Sequence, residues 1–146
     1  MFIFVSFNPS PEKGKMTTKE KTMNPIVHFE IPYEDEAKAR EFYSIFDWDL
    51  QAIPGMDYIG VTTTPVNEKH IPKNPGSING GMMKRTSTVR SPVIAVQVDS
   101  VDIYLNKVTE KGGKIVTPKI EIPNIGYYAY VADLEGNIIG LWEPMQ

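Results

Sequence analysis

The chain has 146 residues, 41% of them apolar and 23% charged, with a formal net charge of −3, figures that suit one globular domain with a real core. Lys and Arg are scattered along the chain and are not gathered on one stripe, so the electrostatic footprint of nucleic-acid binding is missing. The lack of cysteine excludes disulfides, thiolate nucleophiles and zinc ribbons and points to the cytoplasm, and no apolar run approaches the ~20 residues of a membrane span.

Met1 to Phe7 is briefly apolar but too short for a signal-peptide core, and Asn8 to Thr22 is rich in Pro, Lys and Thr without periodicity. Residues 1–23 are therefore expected to be a disordered leader, with Met16 or Met23 as alternative starts. Folded structure is expected over residues 24–146 as a single domain of two modules, 24–86 and 92–146.

The first module opens on a strand, Ile26 to Ile31, whose alternation puts Val27, Phe29 and Ile31 on one face and Ile26, His28 and Glu30 on the other. Asp35 is placed to cap a helix in which Ala39, Phe42, Tyr43 and Phe46 form one stripe, suited to covering the apolar face of the sheet. Two strands, Asp47 to Ile53 and Tyr58 to Thr64, flank the turn residues Pro54 to Asp57. The segment Pro65 to Pro75, which carries His70, reads as a surface loop. Gly80 and Gly81 then fall inside a strand, Ile78 to Arg85, where they mark either a close approach to the backbone or a bend.

A second copy starts at Val93. The strand Val93 to Val98 leads into a helix with the stripe Val101, Tyr104, Leu105 and Val108, ending near Gly112 and Gly113. Aligning the two copies pairs His28 with Ala95 and Glu30 with Gln97, so the chain is an internal duplication of a βαβββ unit. A strand from Ile115, an aromatic strand Ile125 to Ala132, the turn Asp133 to Asn137 and a last strand Ile138 to Glu143 complete it. Alternation sends Tyr128 and Tyr130 one way and Tyr127 the other, and places Leu141 and Glu143 on a common face. One set of tyrosines is expected in the core and the other lining the site of a planar ligand; Trp48 and Trp142 read as packing residues.

Four stretches in this order, Ile26 to Pro32, Glu41 to Trp48, Asn79 to Arg85, and Tyr127 to Glu143 with its Leu-Glu-Gly-Asn turn and Gly-Leu-Trp-Glu ending, resemble the vicinal oxygen chelate superfamily of glyoxalase I, bleomycin-resistance proteins and extradiol dioxygenases. The small "predicted lactoylglutathione lyase-related" subgroup is the part of it that the chain resembles most. The resemblance implies an α+β fold whose two tandem βαβββ modules form a half-open barrel around a cavity, with metal ligands on the first and last strands of each module. Carried over by position, it makes His28 and Glu143 the metal ligands, for Zn, Ni, Fe or Mn, and the catalytic pair. Ala95 stands where another ligand belongs, and the fourth position falls on Met83 or Lys84. Two donors leave most of a metal's shell to water.

The expected ligand-binding set is His28, Glu30, Asn79, Met82, Gln97, Tyr128, Leu141 and Glu143. The leading functional expectation is a protein that binds, and in one version converts, a small organic metabolite in the cavity. The rivals are a metal-dependent lyase, isomerase or dioxygenase completed by water, His70 or a second chain, and a protein that sequesters a drug or toxin unchanged. A small-molecule ligand and a homodimer are the expected partners, with no nucleic acid and no membrane.

Overall fold

The computed structural model describes residues 23–146; the expected leader, Met23 apart, lies outside them. The first βαβββ unit comprises β1 (Ile26–Tyr33), α1 (Glu36–Tyr43), β2 (Asp49–Ala52), β3 (Ile59–Thr62) and β4 (Asn79–Lys84). The second comprises β5 (Val93–Gln97), α2 (Val101–Glu110), β6 (Lys114–Ile122), β7 (Gly126–Ala132) and β8 (Ile138–Pro144). All eight strands join one mixed sheet in the order β2-β3-β4-β1-β5-β8-β7-β6, so the two units meet where β1 pairs antiparallel with β5. The sheet is open, with β2 and β6 as its edges.

Both helices lie on one face. Asp35 caps α1, its side chain accepting from the Lys38 N–H, and Ser100 caps α2 by accepting from the Ile103 N–H. Beneath α1, a cluster of Tyr33, Ile59, Val61 and Met82 is joined by Phe29, Ile31, Ala39, Tyr43, Trp48 and Leu50. Beneath α2, Val98, Val101, Leu105, Ala129, Val131 and Leu141 form the matching core. Phe29 and Ile31 thus face α1, as alternation along β1 requires, and His28 and Glu30 point to the opposite, helix-free face, called here the inner face.

The α1 stripe reaches the sheet only in part. Ala39 and Tyr43 pack on the core, whereas Phe42 is 59% exposed and Phe46 52% exposed. The reason lies in how the helix ends: a 3-10 turn over Ser44–Phe46 closes on Asp47 in the left-handed conformation, φ 58°. Phe46 is thereby carried out of helical register and tilts against Trp48, while Phe42 meets only the edge of Tyr43 among the aromatic rings.

Candidate functional site

Glu30 sits near the middle of β1, which has three strands of the sheet on one side and four on the other. It is 4% exposed. Burying a carboxylate is costly unless donors replace its water, and here three phenols do so. The Tyr58 hydroxyl donates to Oε2 at 2.8 Å, and Tyr128 donates to Oε1 at 3.2 Å. Tyr130 donates to the same Oε1.

Tyr58 comes from the segment before β3, while Tyr128 and Tyr130 come from β7, whose side chains cross β8 and β5 to reach β1. Two glycines make the convergence possible. A Cβ on Gly81 would collide with the hydroxyl-bearing edge of the Tyr58 ring, and a Cβ on Gly140 would collide with the Tyr128 hydroxyl. Beneath the rings, Val93 and Ala95, the β5 partners of Glu30 and His28, are buried.

His28 stands beside this cluster, its ring stacked on Tyr58 at 6.3 Å between centroids and its Nε2 2.7 Å from the Tyr58 oxygen. The phenol has one hydrogen, and it is spent on Glu30. His28 must therefore be the donor in the second bond, which fixes the neutral ring as the Nε2–H tautomer. Burial pulls the His28 pKa below 6.5, and the nearby Glu30 charge opposes that shift in part. Burial, with the Glu30 charge and hydrogen bond added, also pushes the Tyr58, Tyr128 and Tyr130 phenols far above their usual range, so all three keep their protons.

The expected residues divide between the two faces of the sheet. His28, Glu30 and Tyr128 come together. Asn79 and Gln97 share the inner face, opposite His28 on β4 and opposite Trp142 on β8 respectively. The Asn79 amide is taken up by backbone, accepting from the Thr63 and Thr64 N–H groups and donating to the Thr64 carbonyl. Met82, Leu141 and Glu143 are on the helix side. Met82 is completely buried in the core under α1, and it is Met83, paired with Pro32, that faces inward, its sulfur 3.9 Å from the Tyr130 hydroxyl.

Leu141 packs under α2, and Glu143 on the same parity accepts a 2.8 Å hydrogen bond from the Val101 N–H at the first turn of that helix. His28 and Glu143 therefore do not share a hollow, contrary to the sequence expectation; one carboxylate caps a helix while the imidazole lies across the sheet. The centre of the inner face is occupied by tyrosine rings in place of an open space between those two groups. Tyr58, absent from the expected set, is the residue that sequence reasoning missed; Tyr130, also absent from that set, shares the face of Tyr128 as alternation along the strand requires. A signal for Tyr58 existed in Gly81, which marked a close approach to the backbone without saying by what.

The donors present do not fit a metal centre. The proposed pair is split between faces, Glu30 already accepts three hydroxyls, and Ala95 offers no donor. His70 lies in an exposed loop with a left-handed φ of 62°. Among the described residues, no group of three or more His, Cys, Asp or Glu is placed to hold one ion.

Comparison with known proteins agrees with the fold. Residues 25–64 match the model of the bleomycin resistance protein-like N-terminal family. The chain is 30% identical over 115 residues to the "Putative glyoxylase CFP32" of Mycobacterium bovis, the match covering 75% of this chain and 41% of that protein. The chain thus spans about two-fifths of the length of the curated relatives it matches. A glyoxalase/bleomycin resistance protein/dioxygenase superfamily member from Vibrio splendidus superposes with a TM-score of 0.55 at 9% identity, over 83% of this chain and 99% of that one. The Mn(II)-bound glyoxalase from Novosphingobium aromaticivorans superposes with a TM-score of 0.52 at 16% identity, over 82% of this chain and 38% of that one. With its paired βαβββ units, the chain has the fold of the glyoxalase/bleomycin resistance/dioxygenase proteins and is similar in sequence to members of the vicinal oxygen chelate superfamily.

Proposed function

We propose that the protein binds a small organic molecule on the inner face of its sheet, against Tyr58, Tyr128, Tyr130 and His28, through hydrogen bonds and aromatic contact without a metal ion. The observation that carries this reading is Glu30, a buried carboxylate with no cationic side chain among its hydrogen-bond partners and with three phenols gathered on it from two modules. An apolar residue of similar volume would hold the two halves together at no greater cost. A polar centre of this kind therefore suits recognition better than packing. Similarity to the bleomycin resistance protein-like N-terminal family, and a fold shared with an Mn(II)-bound glyoxalase, support small-molecule binding as a class.

A fragment library of uncharged and charged aromatic compounds, followed by NMR of the full chain, tests the proposal. Binders are expected to move the His28 and Tyr130 ring signals and to do so equally in Glu143→Gln. Binders that perturb only the α2 side, or none from the library, overturn it.

Conversion of the ligand is a second reading, favoured by the chain of hydrogen bonds from His28 through Tyr58 to Glu30, along which a proton can pass. Mass spectrometry of recovered ligand separates the two: unchanged ligand means sequestration, and a product whose formation stops in His28→Ala means catalysis. The same reading places the protein in the cytosol, on the strength of a cysteine-free chain, and pairs it with a second copy. The exposed Phe42, Ile45 and Phe46 at the end of α1 support the pairing. Sedimentation velocity checks it, and a monomer at all concentrations contradicts it.

A further inference from the structure

The hydrogens of the inner cluster can be counted. Tyr58, Tyr128 and Tyr130 each own one hydroxyl hydrogen, and each points it at Glu30. The His28 Nε2 hydrogen is directed at the Tyr58 oxygen. No hydroxyl hydrogen is left to face outward, so what the cluster offers a visitor is lone pairs on phenol oxygens and the faces of aromatic rings. Tyr58 and Tyr130 are partly exposed and form the accessible part of this surface, with Tyr128 buried between Tyr130 and Trp142, its ring 5.0 Å and 6.4 Å from theirs.

The charge has the same sign as the inventory. None of the ion pairs among the described residues includes Glu30. Its negative charge is spread into three phenols and not cancelled, and the imidazole beside it is held neutral by burial. Such a centre attracts a cation twice over, through the field of the carboxylate and through the negative faces of the rings. It disfavours an anion, because the hydroxyl hydrogens of the cluster are all turned to Glu30 and no cation pairs with that carboxylate among the described residues.

From the placement of Glu30 under Tyr58, Tyr128 and Tyr130, we infer that the inner face selects a small organic cation bearing N–H donors, an aryl-alkyl ammonium or amidinium group, over neutral and anionic molecules of the same shape. This rests on the small-molecule reading above and names the ligand class for it. The ammonium donates to the Tyr130 and Tyr58 oxygens while its aryl group lies along the tyrosines and Trp142.

The test is isothermal titration of the full chain at pH 7.5 with three probes of nearly one shape: 3-phenylpropylammonium, 3-phenylpropan-1-ol and 3-phenylpropanoate. The ammonium is expected to bind at least tenfold more tightly than either of the others. Glu30→Gln is expected to bring its affinity to that of the alcohol. Should Glu30→Gln fail to fold, the three-probe series on the natural chain still decides, and Tyr130→Phe, which removes one acceptor and keeps the charge, is expected to weaken the ammonium several-fold. Equal or tighter binding of the alcohol or the carboxylate on the inner face overturns the inference and leaves the small-molecule reading standing. Binding of the ammonium that is unchanged in Glu30→Gln overturns the inference as well. Absence of binding by all three overturns the inference, and the small-molecule reading falls with it only if the fragment library also yields no inner-face binder.

Discussion

Each phenol on Glu30 replaces a water that the carboxylate would have kept in the unfolded chain, and hydrogen bonds to charged groups are worth about 1.5–3 kcal/mol each. Tyr130→Phe is therefore expected to destabilise by roughly 2 kcal/mol, read as a lower urea midpoint at unchanged m-value. His28 adds a pH dependence. Its folded pKa lies below the 6.5 of the free side chain, so between those two values the unfolded chain binds a proton that the folded chain does not. Stability is accordingly complete above pH 6.5, falls as the pH drops below it, and levels off beneath the folded pKa. Urea titrations from pH 7.5 downward are expected to show that slope, and His28→Gln to flatten it. At this scale the sequence was informative where periodicity applied: alternation alone put His28 and Glu30 on one face. It did not single out Tyr58, because the alternation of Tyr58 to Thr64 assigns a face but does not name the residue across β4, Glu30, that the side chain reaches.

The helices show what local chemistry decides and what it leaves open. Asp35 reads as a cap from its place before an amphipathic run, and it accepts the Lys38 N–H as such a cap should. Alternation along β8 correctly paired Leu141 with Glu143, but a period of two does not say which face is the inner one. That choice is made by the β7 and β8 registers, which turn Leu141 toward α2 and leave Trp142 beside Tyr128. Glu143→Ala should thus cost about 1–2 kcal/mol through the lost bond at the α2 terminus, visible in thermal melts, while inner-face binding stays as it was. Gly81→Ala and Gly140→Ala make the opposite prediction. A Cβ at either site displaces a tyrosine, so each is expected to lose about 1–3 kcal/mol and to weaken binding, and unchanged affinity in both would show that the rings do not form the site.

Across the whole molecule, the duplication was legible because both units repeat the same strand and helix pattern, and it specified an eight-stranded sheet with both helices available to one face. The centre of the inner face was not, because it is assembled from β1, the approach to β3, and β7, with no two contributors adjacent in sequence. The resemblance carried His28 and Glu143 as a pair; the chain instead joins His28 to Glu30 and closes the space with tyrosines. Glu30 belongs to the first module, Tyr130 to the second, and their bond spans 100 residues of sequence. A double-mutant cycle between Glu30→Gln and Tyr130→Phe, measured by urea unfolding, probes that bond directly. Coupling of at least about 1 kcal/mol is expected for partners in one buried network. Additivity within ~0.5 kcal/mol, the behaviour of independent sites, would contradict a carboxylate that gathers both modules around one binding face.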